Sequence, residues 1–98
     1  MPRKVYSKTK RYCRLTFKLP VDESIKTVAL CGEFNDWNPT AHRMTHRKDG
    51  SFSLTLSLTS GQQYRYRYLL NGERWENDPA ADGYASNPYG SDDSLVDV

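Results

Sequence analysis

Three separate runs of this chain alternate apolar and polar side chains with a period of two. That pattern narrows the accessible folds more than any other feature. In residues 12–19, Cys13, Leu15, Phe17 and Leu19 alternate with Arg14, Thr16 and Lys18. Residues 51–58 set Phe52, Leu54, Leu56 and Leu58 against Ser51, Ser53, Thr55 and Ser57, and residues 64–70 set Tyr64, Tyr66, Tyr68 and Leu70 against Arg65 and Arg67. Successive side chains of a strand point to opposite faces, so each run turns one face to a core and the other to water. Residues 25–31 lack the alternation and read as a more fully buried strand. Leu95-Val96-Asp97-Val98 reads as a closing strand. No stretch offers ten residues of helical periodicity.

Turn residues fall between these runs. Pro20 ends the first, Asp49-Gly50 and Ser60-Gly61 bracket the second, and Asn71-Gly72 is a strong hairpin signal. Residues 78–90, with Pro79, Gly83, Pro88 and Gly90, read as a long irregular segment. Short antiparallel strands at this spacing predict an all-β chain folded as a small β-sandwich. Phe17, Phe52, Leu54, Leu56, Tyr66 and Tyr68 are expected to point inward. A length of 98 residues fits one domain, placed at 11–98 behind a basic arm at 1–10.

Charge is unevenly distributed although the net value is only +2. From position 3 to 18 the charged residues are Arg3, Lys4, Lys8, Lys10, Arg11, Arg14 and Lys18, with no acid among them. From position 73 onward Glu73, Glu76, Asp78, Asp82, Asp92, Asp93 and Asp97 face Arg74 alone. A basic stretch carrying Tyr6 and Tyr12 raises nucleic-acid binding as a hypothesis. No nucleic-acid motif accompanies it, so a solvated arm offsetting the acidic half is the favoured reading and nucleic acid is disfavoured as a partner. No apolar stretch approaches the ~20 residues needed to span a bilayer, no signal-peptide core follows the N-terminus, and a membrane partner is not expected. Cys13 and Cys31 have neither a disulfide framework nor metal-ligand spacing, and a reduced, cytoplasmic protein is the default.

Catalytic constellations are not evident. His42 and His46 have no neighbouring cysteine or carboxylate cluster, so no metal is expected, and nothing points to a cofactor. Asp92 and Asp93 are adjacent and should diverge, whereas glycoside hydrolysis wants two carboxyl groups facing each other roughly 5–9 Å apart. The chain is not expected to be an enzyme.

A recognition surface is better supported. Trp37 lies in the turn Gly32-Glu33-Phe34-Asn35-Asp36-Trp37-Asn38-Pro39, where the strand before it cannot easily bury it. Such a tryptophan needs a packing partner or a ligand. Aromatic faces can receive the axial C–H groups of a pyranose while surrounding polar groups bond its hydroxyls. Trp37 and Trp75 are the two candidate platforms, with Arg67 and the polar residues of 87–93 beside them. Hairpin register leaves Trp75 open. A two-residue Asn71-Gly72 loop sets it opposite Tyr68 on the core side, and a three-residue loop sets it opposite Leu69 on the Arg65–Arg67–Leu69 face.

The chain resembles carbohydrate-binding module family 48, which includes the glycogen-binding domain of the AMP-activated protein kinase β subunit and the early-set N-terminal domains of isoamylases and branching enzymes. The residues that carry the resemblance are Val28-Ala29-Leu30-Cys31-Gly32-Glu33-Phe34-Asn35-Asp36-Trp37, Tyr66-Arg67-Tyr68-Leu69-Leu70-Asn71-Gly72, Trp75 with Asp78-Pro79, and Asn87-Pro88-Tyr89-Gly90. The resemblance implies an immunoglobulin-like early-set antiparallel β-sandwich. It also implies a non-catalytic module for α-1,4-linked glucan: glycogen, starch or maltooligosaccharides. Trp37 and Trp75 fall on the family's two stacking tryptophans, and the extra hairpin residue favours the wider loop. Arg67 stands where kinase-type modules have a sugar-contacting lysine, exchanging a point charge for a planar fork. Tyr89, Ser91 and Asp93 fall on final-loop positions held there by Leu, Thr and Asn, and Asn87 joins them on the polar rim. The alternative is a module that docks on a glycogen- or starch-metabolising enzyme and barely touches sugar.

Overall fold

The computed structural model describes residues 2–98. Alternation becomes pairing in nine strands among these residues: β1 (Arg3–Tyr6), β2 (Tyr12–Leu19), β3 (Val28–Gly32), β4 (Thr45–His46), β5 (Phe52–Thr59), β6 (Gln63–Leu70), β7 (Arg74–Glu76), β8 (Gly83–Ser86) and β9 (Asp92–Asp97). One 3-10 turn, Glu33–Asn35, follows β3. The first sheet runs β1-β2-β5-β4. The second runs β3-β6-β9-β8, with β7 pairing the same edge of β6 beyond β9. All pairings are antiparallel, and the two sheets form an immunoglobulin-like early-set sandwich. No helix of the described residues is long and apolar enough to cross a membrane.

Period two explains the core. Cys13, Leu15, Phe17 and Leu19 from β2 meet Phe52 and Leu58 from β5, facing Tyr66, Tyr68 and Leu70 from β6 and Val96 from β9. Phe17 meets the Tyr66 ring edge-on at 5.1 Å, a favoured aromatic geometry. Leu54 and Leu56 share the inward phase but are only partly buried, packing at the margin of the cluster. The buried tyrosine hydroxyls need acceptors, and Asp78 supplies both. Its Oδ2 accepts from Tyr66 at 2.7 Å and from Tyr68 at 3.1 Å, while its backbone N–H donates to Ser94 Oγ at 2.8 Å. Burial first, and then the Asp78 carboxylate, push both tyrosine pKa values far above the usual range. Asp78 thereby ties the chain after β7 to the middle of the second sheet.

Several expectations change. Arg3–Tyr6, inside the stretch read as a solvated basic arm, is the edge strand β1, opposite Thr16 to Cys13 of β2. Its Lys4 reaches across the sandwich to Asp82 at 2.7 Å, which neutralises one of the basic charges within the fold. The irregular segment 78–90 contains β8, and the closing strand starts three residues earlier than Leu95. Short strands such as β4 and β8 carry too few residues for an alternation to register, so pairing partners, not pattern, define them.

Candidate functional site

The same alternation that buries Tyr66 and Tyr68 turns Arg65, Arg67 and Leu69 to the outer face of the second sheet. Register then assembles their neighbours. Cys31 lies opposite Arg67, Ala29 opposite Leu69, and Trp75 opposite Leu69 on the other edge of β6. Leu70 pairs Arg74, leaving Asn71, Gly72 and Glu73 as a three-residue loop. Asn71 and Gly72 both have positive φ, 53° and 72°, a conformation these two residue types tolerate best. The Glu73 N–H closes the turn on Leu70 O at 3.1 Å. Trp75 is therefore on the outer face, 43% exposed, and not against Tyr68.

The turn after β3 is rigid, and its rigidity aims Trp37. Gly32 is required, because a Cβ there would sit 2.5 Å from Arg65 O and under 3 Å from the Phe34 ring. Asn35 bonds back to the strand, donating to Leu30 O at 2.9 Å and accepting from the Gly32 N–H at 3.1 Å. Asp36 and Trp37 then take left-handed φ values of 55° and 58°, held by the Trp37 N–H on Gly32 O at 2.9 Å. Two successive non-glycine residues in this region cost roughly 1–2 kcal/mol each. The indole offsets part of that by packing on Ala29, Cys31 and Leu69. Trp37 is thus half-buried, less exposed than its loop position suggests.

Arg67 stands between the two indoles. Its Cζ lies 6.0 Å from the Trp37 ring centroid and 5.3 Å from that of Trp75, both at cation–π distance. Behind it, Asp93 is 5% exposed and faces both arginines, 3.3 Å from Arg65 Nη1 and 3.3 Å from Arg67 Nε. The Arg67 contact has ion-pair distance without hydrogen-bond alignment, so it fixes position more than it satisfies the Nε–H. Asn87 Nδ2 also donates to Asp93 at 3.1 Å. The charged centre of this face is therefore two guanidinium groups around one carboxylate, with Glu33 nearby accepting the Arg65 backbone N–H at 2.7 Å.

These side chains line an open groove of about 590 Å³, within the usual range for small-ligand sites. Of the residues expected from sequence, Trp37, Arg67, Trp75, Asn87, Tyr89 and Asp93 line it. Ser91 is not among the lining residues. Its Oγ and N–H instead serve Asn87, whose Oδ1 also accepts the Tyr89 N–H at 3.0 Å, so Ser91 shapes the turn that carries Tyr89. Tyr89 projects from that turn 90% exposed. Asp93, expected on the polar rim, is the buried anchor of the arginines. Glu33, Arg65, Ser86 and Pro88 also line the groove and are not among the expected site residues. Arg65 had a signal, the shared phase with Arg67 on β6, and Glu33 and Pro88 stand within the motifs that carry the family resemblance, whereas Ser86, at the end of β8, had none.

The two histidines have local roles. His42 Nδ1 lies 2.9 Å from Asn35 Nδ2 in the Trp37 turn, and the His46 ring stacks on Phe52 at 4.3 Å. No grouping of three or more His, Cys, Asp or Glu side chains suited to a metal occurs among the described residues.

Comparison with known proteins agrees with this architecture. Residues 69 long in alignment are 33% identical to an amylopullulanase of Thermoanaerobacterium thermosulfurigenes, covering 67% of this chain and 4% of that protein. A 43-residue stretch is 42% identical to an amylopullulanase of Thermoanaerobacter thermohydrosulfuricus, covering 42% of this chain and 3% of that protein. The chain thus spans only a few per cent of the length of these curated relatives. The sequence pattern of carbohydrate-binding module 48, the isoamylase N-terminal domain, matches residues 23–90, from before β3 to the Tyr89 turn. Fold, groove-bearing segments and sequence coincide over that span, and the chain belongs to the carbohydrate-binding module 48 family, whose members are non-catalytic modules.

Proposed function

We propose that this module binds α-1,4-linked glucan, as glycogen, starch or maltooligosaccharide, with glucose rings stacked on Trp37 and Trp75. The observation that carries the reading is the Arg67 guanidinium held between both indoles on one face of the second sheet. Stacking surfaces on either side of a fixed, planar donor suit a ligand whose repeating unit has an apolar ring face and hydroxyl edges. Asp93 keeps Arg67 in place without occupying the groove, and the two terminal nitrogens of Arg67 make no hydrogen bond with protein among the described residues. Asn87 lies on the rim and Tyr89 offers a third ring. The relatives are amylopullulanases, named for glucan substrates, which supports the same ligand class. Two unpaired, buried cysteines support a reducing, cytoplasmic setting.

Titration with linear maltooligosaccharides and a cyclic dextrin, followed by tryptophan fluorescence, tests the proposal. Saturable quenching or a spectral shift, lost in Trp75→Ala, is the expected result. Absence of any response at millimolar oligosaccharide, with the folded state intact by circular dichroism, would overturn it and favour the enzyme-docking reading.

A further inference from the structure

A second depression lies on the outer face of the second sheet, beside the groove. It measures about 270 Å³, and its lining includes Thr27, Ala29, Pro39, Thr40, Arg43 and Leu69. Register shows why the two adjoin. Ala29, Leu69 and Trp75 form one cross-strand row, and Cys31 and Arg67 form the next, two residues or roughly 7 Å away along β6. Trp37 lines the groove and packs on the Ala29, Cys31 and Leu69 cluster, whose Ala29 and Leu69 also line the second depression.

We propose that this depression is a further subsite, holding one more glucosyl residue of a chain stacked on Trp37. The proposal rests on the glucan reading above. Its floor is apolar but narrow: Ala29 and Leu69 are each under a tenth exposed, and Pro39 beside them extends the apolar strip that would meet the C–H edge of a pyranose. Its rim is polar: the hydroxyl of Thr27, the hydroxyl of Thr40, which already donates to Asn38 Oδ1 at 2.8 Å and so can only accept from a sugar, and the exposed guanidinium of Arg43, which has no ion pair among the described residues. Arg43 is fixed beside the floor by its backbone, which bridges to Ala29 between two bonds, Leu30 N–H on His42 O and Met44 N–H on Val28 O, both 2.8 Å. The volume falls below the ~300 Å³ at which independent ligand sites begin, so it accommodates a single ring as an extension and not a second oligosaccharide.

The test is affinity against chain length, from maltotriose to maltooctaose, for the wild type and for Arg43→Ala and Thr40→Val. Neither substitution removes a core contact, since both positions are exposed, but Thr40→Val also deletes the Thr40 hydroxyl bond to Asn38 next to Trp37, so Arg43→Ala is the deciding variant. In the wild type, affinity should rise by a step at one added glucose after the tryptophan groove is filled. Arg43→Ala should shrink that step by roughly threefold to tenfold, the net worth of one ordinary hydrogen bond at an exposed site, and leave affinity for the shortest binding oligosaccharide unchanged. Thr40→Val should shrink it less. A wild-type series that plateaus without the step, or a step that survives in Arg43→Ala, overturns the subsite alone. Equal losses at every chain length would show Arg43 acting on the groove as a whole and also overturn it. If no oligosaccharide binds, both the subsite and the glucan reading fall.

Discussion

Replacing Trp75 and Trp37 by alanine in turn should separate affinity from stability, because the two indoles are buried to different degrees. Trp75 is 43% exposed on the three-residue strand β7. A tryptophan side chain offers roughly 250 Å², so one exposed ring face is about 50 Å². A pyranose covering it removes about as much C–H surface of its own, ~100 Å² together and ~2.5 kcal/mol at ~25 cal/mol/Å². That is about a 70-fold loss of glucan affinity for Trp75→Ala, with the unfolding free energy lowered by about 1–2 kcal/mol, because part of the ring is packed on the sheet. Trp37→Ala should lose affinity to a similar extent. It should also destabilise the fold by about 1–3 kcal/mol, since it strips a half-buried indole from Ala29, Cys31 and Leu69, below the ~3–5 kcal/mol of a full core truncation. Isothermal titration with maltoheptaose and urea unfolding of both variants supply the two axes. If Trp75→Ala unfolds the protein while sparing affinity, or Trp37→Ala costs no stability, the reasoning from burial is refuted.

Trp37→Gly should be more stable than Trp37→Ala by roughly 1 kcal/mol, reversing the usual order, because φ at this position is 58° and glycine alone adopts it without strain. Urea midpoints that rank alanine above glycine would remove the claim that this turn is strained. Alkaline stability should fall steeply. A tyrosine whose folded pKa lies above its unfolded value of about 10 contributes fully below that pH and loses its contribution as pH rises beyond it, at about 1.4 kcal/mol per pH unit. Unfolding measured from pH 8 to 11 should show this slope, and Tyr66→Phe should shallow it by one tyrosine's share. Glucan affinity should change little between low and physiological salt, because stacking and neutral hydrogen bonds release no counterions. Binding of duplex DNA by the basic face of residues 3–18 would instead weaken by roughly 0.9 log units of affinity per log unit of salt for each phosphate neutralised. Tight, strongly salt-dependent DNA binding with no oligosaccharide binding would reverse the assignment.

Alternation along the chain was enough to assign the sandwich and the inward or outward face of the residues in the long strands. Period two is a local property of the backbone, so Phe17, Tyr66 and Tyr68 were assigned inward, and Arg65 and Arg67 outward, without knowing which strands pair. Glycine and asparagine at the turns were equally local, since positive φ selects them wherever the chain reverses. The rest depended on how distant segments are placed against one another, which no local pattern encodes. A single residue of hairpin register moved Trp75 from the core to the groove, and no alternation within β7 is long enough to choose. Burial of Asp93 between two arginines, the edge pairing of Arg3–Tyr6, and the Lys4–Asp82 bridge over 78 positions of chain each arise where distant segments meet. A charge run read along the chain shows its sign, but whether it is solvated, paired or part of a sheet is fixed by what folds against it.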